Sequence, residues 1–284
     1  MLPEHFYAFV ENFPSVNTRT SYVRDLQDFV NFAGSDETAW TLKQFIDYRD
    51  DIATRMTPAT VNRKVCSVRS FLDWCRSQGR ITINVAEAVK LPKIQVREPT
   101  LAFTDREVVR IVKAPNRATL KGATHGLILS LLFQLGVRRS EIVNIRCADL
   151  RSDRGQMVLT IYGKGQKSRE LPISDELMAE ITAYKQKWAD IGETFNSTDF
   201  LIPVGAGTVY RIVKRYAKAV GIDRRVGAHS CRATAISHLL DTQKVPIRDV
   251  ADFAGHSSIN TTAGYDKKRK GILDSAAPKV NYES

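Results

Sequence analysis

A mainly helical chain with one small β-hairpin, organised in two parts, is the fold class that this 284-residue sequence predicts. Three observations carry it. Apolar residues recur at helical spacing through the first ninety residues, and a single β-branched run broken by a glycine turn lies among later helical patterns. Between the two halves, "KLPKIQVREPTLA" holds two prolines, mixed charge and no period. The expected organisation is a helical part over residues 1–91, a linker over 92–102 and an α+β part over 103–284, whose tail begins near 266.

The elements follow in order. In "NTRTSYVRDLQDFVNFAG", Tyr22, Leu26, Phe29 and Val30 share one face, and Gly34 stops the helix. Leu42, Phe45 and Ile46 open a second. In the third, Thr57 is the N-cap, Pro58 occupies the first turn, Val61, Val65, Val68, Leu72 and Cys75 form the apolar stripe, and Gly79 ends it. Arg63, Lys64, Arg69 and Arg76 lie off that stripe. Asn84 with Glu87 three residues on predicts a capped fourth helix.

The second part opens on a capping box, Thr104 with Glu107, before Val108 and Ile111. "GLILSLLFQLG" is apolar all round, which predicts a helix at the centre of a core. "QMVLTIYGKGQKSRELPIS" reads as two extended segments around a turn, the expected hairpin. Leu177, Ile181, Tyr184 and Trp188 then share a helical face. A further helix after Thr208 turns Val209, Ile212, Val213, Tyr216 and Val220 inward and displays Arg211, Lys214, Arg215 and Lys218.

Composition narrows the function. The longest apolar run, "GLILSLLF", is far short of the roughly 20 residues of a membrane span, and "MLPEHFYAFV" has no signal pattern, so a cytoplasmic location is expected. The four cysteines show no zinc-ligand spacing. The formal charge is +11, and residues 1–92 balance 11 basic against 11 acidic groups, so residues 93–284 hold all the excess, 31 against 20. Basic faces, beginning near Thr57, suit a polyanion through counterion release.

Polar residues that interrupt the helical patterns are the candidates for chemistry. Arg138 and Arg139 follow the buried helix, Lys164 lies at the hairpin tip, His229 and Arg232 are three apart, and "GHSSINTTAGY" sets His256 nine residues before Tyr265. Taken singly, each also suits a structural role: a helix cap, a solvated turn, a core histidine or a half-buried ring. Together they match what a side-chain oxygen needs to attack a phosphodiester. Guanidinium forks bind the non-bridging oxygens, as Arg138 and Arg232 would. Tyr265 must lose its proton as it attacks, and His229 is a candidate base. Lys164 would give the departing sugar oxygen its proton, and His256 would donate a hydrogen bond to the phosphate. No metal or other cofactor is expected.

In that order these residues resemble a tyrosine recombinase of the phage integrase family, nearest in size and layout to the short Xer-type bacterial enzymes. Arg138 in "GVRRSE" resembles the family's first catalytic arginine, and Lys164 in "GKGQKSRELP" its hairpin lysine. "HSCR" is similar to its H-x-x-R, and "GHSSINTTAGY" to its Gly-His followed by the nucleophile. The resemblance spans nearly the whole chain. It departs at Ala233, where many relatives place another histidine, and His238 is expected to be structural. Arg139 and Lys167 are the rival choices to Arg138 and Lys164. Glu141, one turn beyond Arg138, either orients a catalytic side chain or makes a plain salt bridge.

The resemblance implies a two-domain, C-shaped clamp on double-stranded DNA, with a helical core-binding (SAM-like) domain before the catalytic one. It implies a homo-tetramer holding two recombination sites, a 3′-phosphotyrosyl bond at Tyr265, a Holliday junction, and no requirement for ATP. Arg63, Lys64, Arg69, Arg76, Arg211, Lys214, Arg215 and Lys218 are the expected DNA contacts. The tail, with Ile272 and Leu273, would dock on a neighbouring protomer or simply fray. A type IB topoisomerase-like strand relaxer and a non-catalytic DNA-binding protein on the same scaffold are the alternatives.

Overall fold

The computed structural model describes residues 2–94, 101–163 and 167–266. Two compact units divide the chain, Met1–Arg97 and Glu98–Ser284.

The first unit is helical: α1 (Glu4–Glu11), α2 (Val16–Ala33), α3 (Leu42–Ala53) and α4 (Pro58–Ser77). Ser15 caps α2, and Thr41 with Gln44 forms a capping box on α3. The α4 stripe is buried as its spacing requires, from Val61 to Cys75, against Phe6, Phe29 and Phe45. Phe6 stacks on Phe71 at 4.1 Å and Phe29 on Phe45 at 4.4 Å, so stacked aromatic rings tie the helices of this core together. Helix α1 has no counterpart among the expected elements, although Phe6, Phe9 and Val10 carry a helical period and are all buried. The expected fourth helix is a single 3₁₀ turn, Val85–Ala88. Asn84 does cap it, bonding Ala86 N–H, but Glu87 pairs with Arg76 at 2.9 Å and leaves no capping box to propagate a helix.

The second unit contains α5 (Asp105–Lys113), α6 (Leu120–Gln134), α7 (Arg139–Ile142), β1 (Leu150–Asp153), β2 (Gln156–Tyr162), β3 (Ser168–Pro172), α8 (Asp175–Ala189) and α9 (Ala206–Ala219). It ends with α10 (Ala228–Ser237), a π turn at His238–Thr242, α11 (Ile247–Ala254) and α12 (Ile259–Asp266). Helix α6 is the axis of the core, buried from Gly126 to Phe133, as an all-apolar helix must be.

The hairpin is part of a larger sheet. Its three antiparallel strands run β1-β2-β3, with Leu150 opposite Leu159 and Leu159 opposite Leu171. Strand β1 was not expected. It returns through Arg154 and Gly155, both at positive φ, as a two-residue hairpin turn requires. Helix α9 also begins earlier than expected, at Ala206 rather than after Thr208. No described helix is long and apolar enough to cross a membrane.

Candidate active site

Three arginines from three different elements converge on the end of α11. Gly255 terminates that helix in the left-handed conformation (φ 63°), and His256 N–H closes the turn on Ala251 O at 3.0 Å. The carbonyls left over at such a terminus are unpaired and carry the negative end of the helix dipole. Here Arg169 Nε donates to Phe253 O at 2.9 Å, Arg232 Nη2 to Ala254 O, and Arg138 Nη2 to Gly255 O at 3.1 Å. A Cβ at Gly255 would stand 2.9 Å from Arg169 Nη1, so glycine serves both the turn and the close approach.

Arg138 stands at the start of α7, immediately after the α6 stop. Gly136 makes that stop at φ 56°, and a Cβ there would meet the Phe253 ring at 3.0 Å. Glu141, 4 % exposed, organises the corner. It accepts from Arg138 Nη1 at 2.6 Å, from Arg138 N–H at 2.8 Å, and from Arg169 Nη2 at 2.9 Å. Burial alone would raise the Glu141 carboxyl, yet Arg169 and Arg138 hold it below its usual range. Of the two expected readings of Glu141, the salt bridge is present, to Arg138 and to Arg169 together.

Arg232, on α10, is 2 % exposed and also donates to Gly136 O at 2.6 Å. Burial and the Arg138 charge bring its guanidinium down to about 10, still far above neutrality. His229 lies one turn earlier on the same helix. Burial, then Arg232 and Arg138, holds its imidazole below the ordinary value. A pocket of about 380 Å³ is lined by Arg138, Arg139, Tyr210, Gly227, His229 and Arg232.

Helix α12 brings Tyr265 back to this corner. Its ring lies parallel to His256 at 6.0 Å between centroids, 9° off plane, and 6.5 Å from the His229 ring. Burial raises the Tyr265 hydroxyl above its usual value against the pull of Arg232 and Arg138, so at neutral pH it keeps its proton. His256 is brought down to about 4 by burial and by the Arg232, Arg138 and Arg169 charges, and is neutral. The nine-residue gap between His256 and Tyr265 is thus the length of a turn plus two helical turns.

Of the six catalytic candidates, Arg138, His229, Arg232, His256 and Tyr265 come together. Lys164 falls outside the described residues, while its rival Lys167 is described and exposed. Ala233 is buried, and His238 faces Asp105 at 3.3 Å, away from this corner. Arg169 was missed. Its sequence signal was an arginine in a strand otherwise read only as the second arm of a hairpin, and its side chain is 11 % exposed. Among the described residues no three His, Cys, Asp or Glu side chains converge to hold a metal ion.

The expected DNA contacts divide. Arg211, Lys214, Arg215 and Lys218 are exposed on α9. On α4 two expectations are corrected. Lys64 is 6 % exposed, its Nζ 2.8 Å from Asp28 and 3.7 Å from the fully buried Asp25, because a buried charge needs paired partners. Arg69 donates to the carbonyls of Ala86 and Val89, both at 3.1 Å, and so fastens the 3₁₀ turn to α4. Arg63 and Arg76 reach the surface, Arg63 paired with Asp25 and Arg76 with Asp73 and Glu87.

A phenol flanked by neutral imidazoles and fixed guanidiniums, on a mainly helical frame with a three-stranded sheet, is a class of site suited to a phosphate ester. The sequence profile described as the phage integrase family matches residues 102–271. A tyrosine recombinase of Pseudothermotoga lettingae is 30% identical over 261 residues, 88% of this chain and 87% of the relative. Tyrosine recombinase XerC of Xanthomonas campestris pv. campestris is 30% identical over 286 residues, 95% of this chain and 86% of the relative. Among solved structures, a lambda integrase tetramer bound to a Holliday junction superposes with a TM-score of 0.73 at 16% identity, covering 94% of this chain and 77% of that one. The chain belongs to the phage integrase family, the tyrosine recombinases, enzymes that cleave and rejoin DNA strands.

Proposed function

We propose that Tyr265 is the nucleophile of a site-specific recombinase acting on double-stranded DNA. Its Oη attacks the scissile phosphorus, the P–O5′ bond breaks, and a 3′-phosphotyrosyl bond stores the linkage. The phenolic proton passes to His229, which is neutral and therefore free to accept it. Arg138 and Arg232 neutralise the charge that develops on the non-bridging oxygens, His256 donates a hydrogen bond to one of them, and Lys164 gives the departing 5′ oxygen its proton. The freed 5′ hydroxyl then attacks the phosphotyrosyl bond of a partner duplex, and two such exchanges make and resolve a Holliday junction. The observation that supports this reading most is the parallel stacking of Tyr265 on His256 beside the Arg138–Arg232 pair.

Residues 1–91 serve as the helical core-binding domain and 103–284 as the catalytic domain, joined by the linker. The α9 face grips backbone phosphates, with Arg63 and Arg76 contributing from the first unit. Four copies assemble on two sites in the bacterial cytoplasm, where the nucleoid lies. The tail segment with Ile272 and Leu273 docks on a neighbouring copy, and an apolar cavity of about 610 Å³ between α5, α6, α10 and α11 is large enough to receive it.

A nicked half-site tests the chemistry, because loss of the short 5′ fragment traps the covalent protein–DNA adduct. Adduct is expected from the native chain and none from Tyr265→Phe. Binding without adduct in both proteins would remove the catalytic reading, and relaxation of a plasmid lacking any cognate site would replace recombination with topoisomerase chemistry.

A further inference from the structure

Thr262 is completely buried on α12, and its Oγ1 lies 2.8 Å from His256 Nδ1. It stands three residues before Tyr265, so the hydroxyl and the phenol share one face of the helix. A neutral imidazole carries one proton, and the partner of one nitrogen decides which nitrogen holds it. Two arrangements satisfy the distance. Either the Thr262 O–H donates to Nδ1 and the ring proton sits on Nε2, or Nδ1–H donates to Thr262 and Nε2 presents a bare lone pair.

The hydroxyl proton decides between them. Among the described residues the hydroxyl has no other hydrogen-bond partner, and it makes no bond to Ser258 O, the carbonyl four residues back that a helical threonine would ordinarily use. If Nδ1 were the donor, the Thr262 proton would be buried with nothing to bond, a state that folded proteins avoid.

We propose that Thr262 is a positioning residue: its hydroxyl donates to His256 Nδ1, fixes the Nε2–H tautomer and holds the ring parallel to Tyr265. The nitrogen that remains for the phosphate is then a donor. With the opposite tautomer a lone pair would meet a non-bridging oxygen and repel it. The charged and titratable groups facing His256 are Arg232, Arg138, Arg169, His229 and Tyr265, and together with burial they keep the ring neutral, which is what gives the choice of tautomer its consequence. This inference rests on the reading that His256 contacts the scissile phosphate.

The test uses the full chain labelled with ¹⁵N-histidine, together with the nicked half-site. Long-range ¹H–¹⁵N spectra at neutral pH are expected to show His256 protonated on Nε2 in the native protein and in Thr262→Ser. In Thr262→Val, which keeps the shape and removes the donor, the Nδ1–H form is expected to appear. Adduct formation in Thr262→Val should slow by roughly ten- to hundredfold, part of the ~10²–10³ that follows when a donor to a developing oxyanion is removed outright. DNA affinity should stay within about threefold of native, since the hydroxyl touches no DNA, and Thr262→Ser should restore most of the rate. A native spectrum with the proton on Nδ1, or a Thr262→Val variant with Nε2–H and full rate, overturns the proposal. If the spectra are as expected but His256→Ala forms adduct at the native rate, the tautomer stands and the phosphate contact is what fails.

Discussion

Glu141 shows how one buried carboxylate holds two guanidiniums, one of them on the residue proposed to touch the phosphate. Its two oxygens receive Arg138 and Arg169, so replacing it with glutamine removes the charge that pairs both while keeping the shape. We expect Glu141→Gln to slow adduct formation by about tenfold or more, since a misplacement near 1 Å can cost ~10² in rate. Unchanged rates would reduce the bridge to a structural contact. His229 supplies a second expectation at this scale. Because its folded value is depressed, the neutral form survives to lower pH than for a free imidazole. The acid limb of adduct formation should therefore fall below about pH 6.5, the ordinary histidine value. A limb above it would exclude His229 as the base. Sequence made Arg138, His229, Arg232, His256 and Tyr265 legible because each stands in a short local motif. It left Arg169 illegible because the meaning of that residue is a hydrogen bond to Phe253 O, 84 positions away.

At the level of elements, periodicity located the α4 stripe and the capping box of α5, where the signal lies within one turn. It did not reveal that Lys64 is buried, since the partners Asp25 and Asp28 come from α2 and look like ordinary surface charges. Strand β1 was equally hidden, being only four residues long and recognisable only through its pairing with β2. Two elements invite direct tests. Gly255→Ala forces a non-glycine residue into the left-handed region, for about 1–2 kcal/mol of backbone strain, and drives a methyl group against Arg169. Chemical denaturation should show at least that decrease in stability; a neutral substitution would mean that the turn relaxes. Replacing Arg211, Lys214, Arg215 and Lys218 with glutamine should flatten the dependence of log affinity on log salt by up to roughly 3–4, at ~0.9 for each phosphate no longer neutralised. An unaltered slope would take α9 out of the DNA interface.

For the whole molecule, the neutral histidines connect stability to pH. Folded His256 titrates at about 4, against roughly 6.5 when unfolded, and His229 is shifted in the same direction. Between those values the unfolded chain binds more protons, so stability present above pH 6.5 is lost as pH falls toward 4. The thermal midpoint should drop between pH 7.5 and 5, and drop less in His256→Asn; equal slopes in both proteins would count against the shift. The three guanidiniums on the end of α11 have a further consequence, for the order of events as the chain folds. Arg138, Arg169 and Arg232 lie 117, 84 and 22 positions from the carbonyls they hold, so these hydrogen bonds close only after distant segments have docked. A nascent or partly unfolded chain holds Tyr265 without the guanidiniums that the proposed attack calls on. On the proposed mechanism, the capacity to break DNA would then depend on contacts that span the second unit, and a chain in which those segments had separated would lack it.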